Sequence, residues 1–493
     1  MRATHLPQAG RTGRGMSMAA IAEQFARFVV NTRFRDLPRV VVEDAKDRVL
    51  DYIGVTLPAH AREKAARVAV KYARSLGGPK ESTILTVGGK LPAVNAAMAN
   101  GVMGHCLELD DDHNILIGHP GVPVLPACLA VAERERSSGK RFLLSVVLGY
   151  EAVIRTGMAV KSGVRHFHHR GFHSTGTAGV FGSAVATAKL MRMNQKQTAT
   201  AIGLAAGFSS GLLEGILSGA WTKRLNAGWA SHSGVAAATL ARAGFNAPMN
   251  MLEGFNGWYS AYALADNTDL AQITAELGTR YEIVNTSYKP YACCRYCHGP
   301  IDAAWGLMKQ AGLSASDFEK NVRSIEVRTV REAARICGGP IERKQRPQTD
   351  VDAQFSIYYA MAVAMLYGKP GTTLLDCFTE KMRTDPRILA LTAKISVKAD
   401  PELEKVYPQQ IPTVIVVKMN NGKEHRFKVD TPKGDPQWQL TREELKVRFH
   451  DLAGRVFDRS HVDRIHDAVY GLEDARDIRR LVRLCVQRGG RSG

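Results

Sequence analysis

Residues 104–121 read GHCLELDDDHNILIGHPG, and here three histidines, His105, His113 and His119, stand among Glu108, Asp110, Asp111 and Asp112. Seven of the fifteen histidines lie between His105 and His173. A carboxylate beside an imidazole is what proton transfer needs, because each tunes the other's pKa and the ring can act as base or, once protonated, as acid. Gly118, Pro120 and Gly121 place His119 on a turn before a helix that begins near Val122, and a helix N-terminus there would offer unpaired N–H groups to an anion. Two other readings compete. The acidic run could cap a helix and face solvent, or Asp and His could ligate a hard cation or zinc, although no H-E-x-x-H or EF-hand spacing is present.

Three further stretches carry polar chemistry. In Arg165 to Thr177 (RHFHHRGFHSTGT), His166, His168, His169 and His173 sit beside Arg165 and Arg170, and Gly171, Ser174, Thr175 and Gly176 would let an anion approach the backbone. The competing reading is a surface loop whose histidines only bond their neighbours. Lys223 and Arg224 precede the Gly/Ala/Ser-rich start of a helix, which fits a carboxylate clamp or two solvated cations equally. YKPYACCRYCHGP, residues 288–300, contains a literal C-x-x-C-H at Cys294, Cys297 and His298. Haem attachment requires an exported chain and no signal segment is visible, while a zinc knuckle would need a second ligand pair. The better reading is a junction loop whose Lys289 and Arg295 point cations at the first domain, with the thiols as small packing residues.

These groups need a scaffold, and the sequence is long enough for one. The 493 residues, 45% hydrophobic and 23% charged, suit a globular protein of two or three folded units. From Met18 to about residue 286 the pattern is helical: Ile21, Phe25, Phe28 and Val29 share one face, as do Val41, Ala45, Val49 and Ile53. Segments such as LPAVNAAMANGVMG and VPVLPACLAVAER have little polar surface, as buried bundle helices do, and their small side chains allow close packing. After Tyr288 the texture changes. Residues 322–330 and 395–398 alternate, residues 413–417 and 424–429 flank the hairpin turn Asn421-Gly422, and 352–367 reads as one helix between strands. Residues 441–487 are largely helical again. The expected organisation is an extension at 1–17, an all-α part at 18–286, an α+β part at 287–433 and helices at 434–493.

Net charge is +19, from 66 Lys plus Arg against 47 Asp plus Glu, so small carboxylates or phosphates are natural partners. No interior basic run is interleaved with aromatics, which argues against a nucleic-acid groove. No stretch is long and apolar enough for a membrane span. Eight cysteines in so long a chain do not make a disulfide framework, and a cytoplasmic location is expected.

Taken together, the stretches resemble the MmgE/PrpD family, which includes 2-methylcitrate dehydratase, cis-aconitate decarboxylase and iminodisuccinate epimerase. The markers are Gly104 to Asp111, Gly118-His119-Pro120, Phe172-His173, Lys223 with Asn226-Ala227-Gly228, Lys289-Pro290-Tyr291 with Cys293-Cys294-Arg295, and Gln354-Phe355-Ser356. The resemblance runs from about Met18 to Val486. It implies a mainly α fold, with a large all-helical domain made from the N-terminal part plus the C-terminal helices and a smaller α+β lid inserted between them. It also implies a homodimer, no required metal or organic cofactor, and an active site between the domains. The matching positions are Glu108, Asp112, His119, His173, Lys223 and Lys289. Two departures stand out. Glu108 occupies a position where the family commonly has Asp, and Cys294 matches a His of the decarboxylase, a change that removes a titratable imidazole and counts against cis-aconitate decarboxylation.

What the resemblance implies is a cofactor-independent lyase of dehydratase type, or an isomerase, that removes a proton alpha to a carboxylate of a small di- or tricarboxylate. In that reading Glu108, Asp112, His119 and His173 are catalytic, and Lys223, Lys289 and Arg295 bind substrate. The rivals are a non-catalytic carboxylate-binding or scaffold protein on the same fold, and a metal-dependent hydrolase.

Overall fold

The computed structural model describes residues 19–161 and 165–487, without the side chains of Arg165, His166 and Ala265. The expected extension at 1–17 lies outside these residues. The fold is mainly α with a smaller α+β portion.

Five helices form the centre: Ala93–His105, Gly121–Arg134, Gly139–Met158, Gly179–Leu190 and Thr222–Arg242. Each is buried over most of its length, so none needs a polar face. Glycine sets how closely they approach. A Cβ on Gly228 would lie 2.5 Å from the Met98 carbonyl oxygen, and one on Gly101 would lie 2.8 Å from the Gly228 Cα. The Ala93–His105 and Thr222–Arg242 backbones are therefore in contact at this crossing. The first of these helices ends at His105, and the second carries Lys223 in its first turn.

A two-stranded ribbon, β1 (Ser82–Thr83) with β2 (Lys90–Leu91), precedes the central helices. The α+β portion holds a four-stranded sheet ordered β4–β3–β5–β6, where β3 is Val322–Thr329, β4 Ile395–Ala399, β5 Thr413–Met419 and β6 Glu424–Val429. β3 runs parallel to β4 and antiparallel to β5, and Gly422, at φ +83°, makes the expected β5–β6 turn. His298–Ala311 packs on β5 and β6 and on Ile357–Leu366. The single helix expected over 352–367 is two, Asp350–Gln354 and Ile357–Leu366. Ser356 causes the break: its Oγ accepts from the Tyr359 N–H and donates to the Lys344 carbonyl, a capping arrangement that a continuous helix would forbid.

The helices Arg442–Ala453 and Arg459–Tyr470 lie against Arg39–Thr56. From the first, Arg448 pairs with Asp51 at 2.8 Å and donates to the Leu109 carbonyl at 2.7 Å. A residue more than three hundred positions away thus pins the acidic loop. Among the described residues no helix is long and apolar enough to cross a membrane.

Gly228→Ala drives a methyl group into the backbone of the neighbouring helix. The expected loss is about 1–3 kcal/mol of stability, read as a lower urea midpoint with unchanged slope, whereas Gly244→Ala meets no neighbour and probes only the local backbone.

Candidate active site

Glu108, Asp110, Asp111 and Asp112 are 1%, 2%, 5% and 7% exposed, which removes the reading of a solvated acidic run. Each carboxylate must therefore find a partner inside the protein. Glu108 lies between two ammonium groups. Lys223 Nζ donates to its Oε1 at 2.7 Å and its Oε2 at 2.9 Å, and Lys289 Nζ donates to Oε2 at 3.1 Å. Burial pushes the Glu108 carboxyl up, but Lys223 and Lys289 outweigh it and hold the group well below the usual carboxylate range. Glu108 in turn raises Lys289 above its ordinary value against the effect of burial. The Glu108 backbone is left-handed at φ +53°, as is that of Ile117 at +46°, which is unusual for a β-branched residue. Strain of this kind persists only where the surroundings enforce it. Here the Ser174 hydroxyl holds the Ile117 carbonyl at 2.5 Å, and the His113 N–H donates to the Gly118 carbonyl at 2.9 Å.

Beside this ion cluster stand three imidazoles. The rings of His105 and His119 are 4.7 Å apart, those of His105 and His173 5.9 Å, and those of His119 and His173 6.4 Å. His105 Nδ1 is 2.8 Å from Asp110 Oδ2, and His119 Nδ1 is 3.2 Å from the same oxygen and 2.7 Å from the Asp111 carbonyl. Both contacts assign the proton to Nδ1, leaving Nε2 of each ring with its lone pair. His173 is the reverse. The Asn226 amide, oriented by donating to the Leu212 carbonyl, also donates to His173 Nδ1 at 3.2 Å, so the ring proton is on Nε2. Burial keeps His105 neutral down to about pH 4, against the pull of Asp110. Burial and then Lys223 lower His173 well below the ordinary imidazole range.

Asp111 plays a different part. Its carboxylate accepts from the Tyr150 hydroxyl at 2.6 Å and from the Gly121 N–H at 2.9 Å. The helix N-terminus at Gly121, expected to offer unpaired donors to an anion, thus has this N–H taken up internally. Burial raises Asp111 to about 7 in spite of Arg48 and Tyr150.

Glu108, Asp112, His119, His173, Lys223, Lys289 and Arg295 all line one cavity, so the structure brings together every residue selected from the sequence. They differ in how they meet it. The Arg295 guanidinium is held by Asp435 and by the carbonyls of Lys433, Pro432 and Tyr288, which makes it a brace for the junction loop. Among the described side chains of the histidine-rich segment, only that of His173 joins the cluster. His168 reaches the cavity wall 3.7 Å from Glu332, and half-exposed His169 faces the same carboxylate at 3.4 Å. Sequence reasoning passed over His105 and Asp110 as site residues, although their five-residue spacing lies in the stretch it singled out.

The three imidazoles also offer nitrogen atoms that lie within 4.8 Å of one another, a set that could gather round a divalent ion after modest side-chain movement. The C-x-x-C-H thiols are buried and unpaired by disulfide, as packing residues are.

Two family models together match most of the chain. The MmgE/PrpD N-terminal domain matches residues 23–271 and the MmgE/PrpD C-terminal domain matches residues 291–474. The chain belongs to the MmgE/PrpD family. Curated relatives include a cis-aconitate decarboxylase of Aspergillus terreus, 26% identical over 94% of this chain and 96% of its own. The cis-aconitate decarboxylase-like protein oryM of Aspergillus oryzae is 27% identical over 94% and 97%, and the human cis-aconitate decarboxylase 24% over 95% of each. The present protein is a lyase-type enzyme of this MmgE/PrpD family.

Replacing Glu108 by Gln leaves Lys223 and Lys289 buried without their counter-charge. The expected cost at pH 7 is about 3–5 kcal/mol. Because the folded Glu108 pKa lies below its unfolded value, its contribution is complete above about pH 4.5 and declines as pH falls toward the folded value. The gap between wild type and Glu108→Gln should therefore narrow on acidification, as measured by urea unfolding at pH 7 and at pH 4.

Proposed function

We propose that the chain is a cofactor-independent lyase that acts on a small carboxylate by exchanging a proton at the carbon alpha to a carboxylate. The observation that carries this reading is the meeting of imidazoles held through opposite hydrogen-bonding partners with a Lys–Glu–Lys cluster on one cavity. Breaking a bond alpha to a carboxylate leaves an electron pair that spreads into an enediolate, and fixed ammonium groups stabilise it without reorganising. Lys223 and Lys289 take that part, and Glu108 orients them.

His119 is the base. Its Nε2 lone pair accepts the proton, and the imidazolium that results has its Nδ1–H toward the Asp110 carboxylate. His173, with its proton on Nε2, hydrogen-bonds the leaving group or a substrate oxygen and keeps that proton. In a dehydration the carbon-bound proton goes to His119, the electron pair forms the double bond, and the hydroxyl leaves as water by taking that proton back from the His119 imidazolium. In a decarboxylation the C–C bond to the departing carboxylate breaks, its electron pair passes through an adjacent double bond to carbon, and one proton is returned there. Both outcomes use the same pair of rings. The names of the relatives favour the second for this chain, while Cys294, where a decarboxylase imidazole is expected, favours the first.

The same reading makes residues 287–433 a lid over the helical body formed by 18–286 and 434–493, in a cytoplasmic homodimer. Support for the dimer comes from the Thr222–Arg242 helix and the residue before it. Trp221, Leu225 and Trp229 recur every four residues and are 39%, 47% and 39% exposed, with Phe208 and Leu212 also exposed. An apolar stripe of this kind on a soluble surface marks an interface, and a two-fold axis would set it against its own copy.

His119→Ala and His173→Ala should each lower kcat by about 10²–10⁴-fold with folding intact, as read by loss of substrate and by solvent-deuterium incorporation across a panel of hydroxylated and unsaturated di- and tricarboxylates. Binding without exchange across the panel would instead identify a carboxylate-binding protein, and undiminished turnover in both variants would remove the assignments. Trp229→Glu should convert a dimer to a monomer in light scattering.

A further inference from the structure

We propose that the substrate of this cavity is a dicarboxylate bearing an alkyl arm of several carbons, in preference to an unsubstituted tricarboxylate. The inference deepens the carboxylate reading above and rests on it.

Charge sets the first half of the argument. The lining holds three cations, Lys223, Lys289 and Arg295. Lys223 and Lys289 share Glu108, Arg295 is held by Asp435, and Lys289 also feels Asp110 and Asp112. Each of the three cations therefore already has a carboxylate in bonding contact, Glu108 for the two lysines and Asp435 for Arg295. Every carboxylate that a ligand adds must be compensated by protonating an imidazole or by displacing a fixed partner, and each costs desolvation that buried pairs barely recover. Three such groups on one ligand suit this cavity poorly.

Shape and polarity supply the second half. Leu213, Ile216, Ile336 and Ile411 line the same cavity, and they come from three separate parts of the chain: the segment ahead of Thr222–Arg242, the helix Arg331–Gly338 and the entry to β5. Tyr296 and Tyr407 also line it, with hydroxyls 2.8 Å apart and bonded to each other, so their rings add apolar wall. Cys294 stands among them as a protonated thiol, because burial raises its pKa well above the ordinary value. Branched aliphatic side chains around a cavity that also holds ions gain free energy only when carbon displaces water from them.

The test is isothermal titration of the wild-type protein with succinate, methylsuccinate, butylsuccinate and tricarballylate. The expected result is affinity that rises about fourfold per methylene added over the first carbons of the arm, with tricarballylate weakest. Leu213→Ser and Ile336→Ser, from two different walls, should each lower the ratio of butylsuccinate to succinate affinity by about tenfold, and a circular dichroism spectrum like that of the wild type shows that each has folded. Tighter binding of tricarballylate or succinate than of butylsuccinate overturns the alkyl arm and leaves the carboxylate reading standing. Failure of all four acids to bind overturns that reading and the arm with it.

Discussion

A carboxylate buried between two ammonium groups is the constraint from which the rest of the molecule follows. Glu108 is expensive to dehydrate alone, and so are Lys223 and Lys289; together they form a cluster whose members each lose a counter-charge if any one is removed. The three residues come from the loop just past one central helix, the first turn of another and the junction that leads into the α+β portion. Holding them at about 3 Å fixes how those parts meet. It also explains why the central helices touch backbone to backbone at Gly101 and Gly228, since a wider crossing would carry Lys223 away from Glu108.

The imidazoles depend on the same dry environment. Burial disfavours the charged form of His105 and His173, and two tautomers divide the labour of the rings: Asp110 and the Asp111 carbonyl hold one form, and Asn226 the other. Asp111 is spent on structure, joining Tyr150 to the helix that begins at Gly121. Neighbours in sequence thus serve separate ends, one tuning a ring and the next anchoring a helix.

Much of this was legible in the sequence. The α and α+β textures, the β5–β6 hairpin at Asn421-Gly422 and the small-residue helices are local patterns, and local patterns survive folding. The site residues were legible as types, and all of those selected line one cavity. Three features were not. His105 ends an apolar helix and reads as core until Asp110 is folded back on it. Arg295 looks like a free cation because its partner, Asp435, lies 140 residues on. The break at Ser356 is masked by the strongly apolar run that follows it, and only the Lys344 carbonyl, supplied by tertiary structure, reveals the cap. In each case the missing information was the partner of a polar group, 5, 140 and 12 residues away respectively.

The bond from Arg448 to the Leu109 carbonyl has a bearing on how the protein is made. Ribosomes deliver the acidic loop 339 residues before the arginine that clamps it, so over that stretch of translation Glu108 and Asp110 wait in a nascent chain whose crevice is unfinished. The acidic loop therefore gains its Arg448 clamp only after the helix Arg442–Ala453 has been synthesised and docked on Arg39–Thr56.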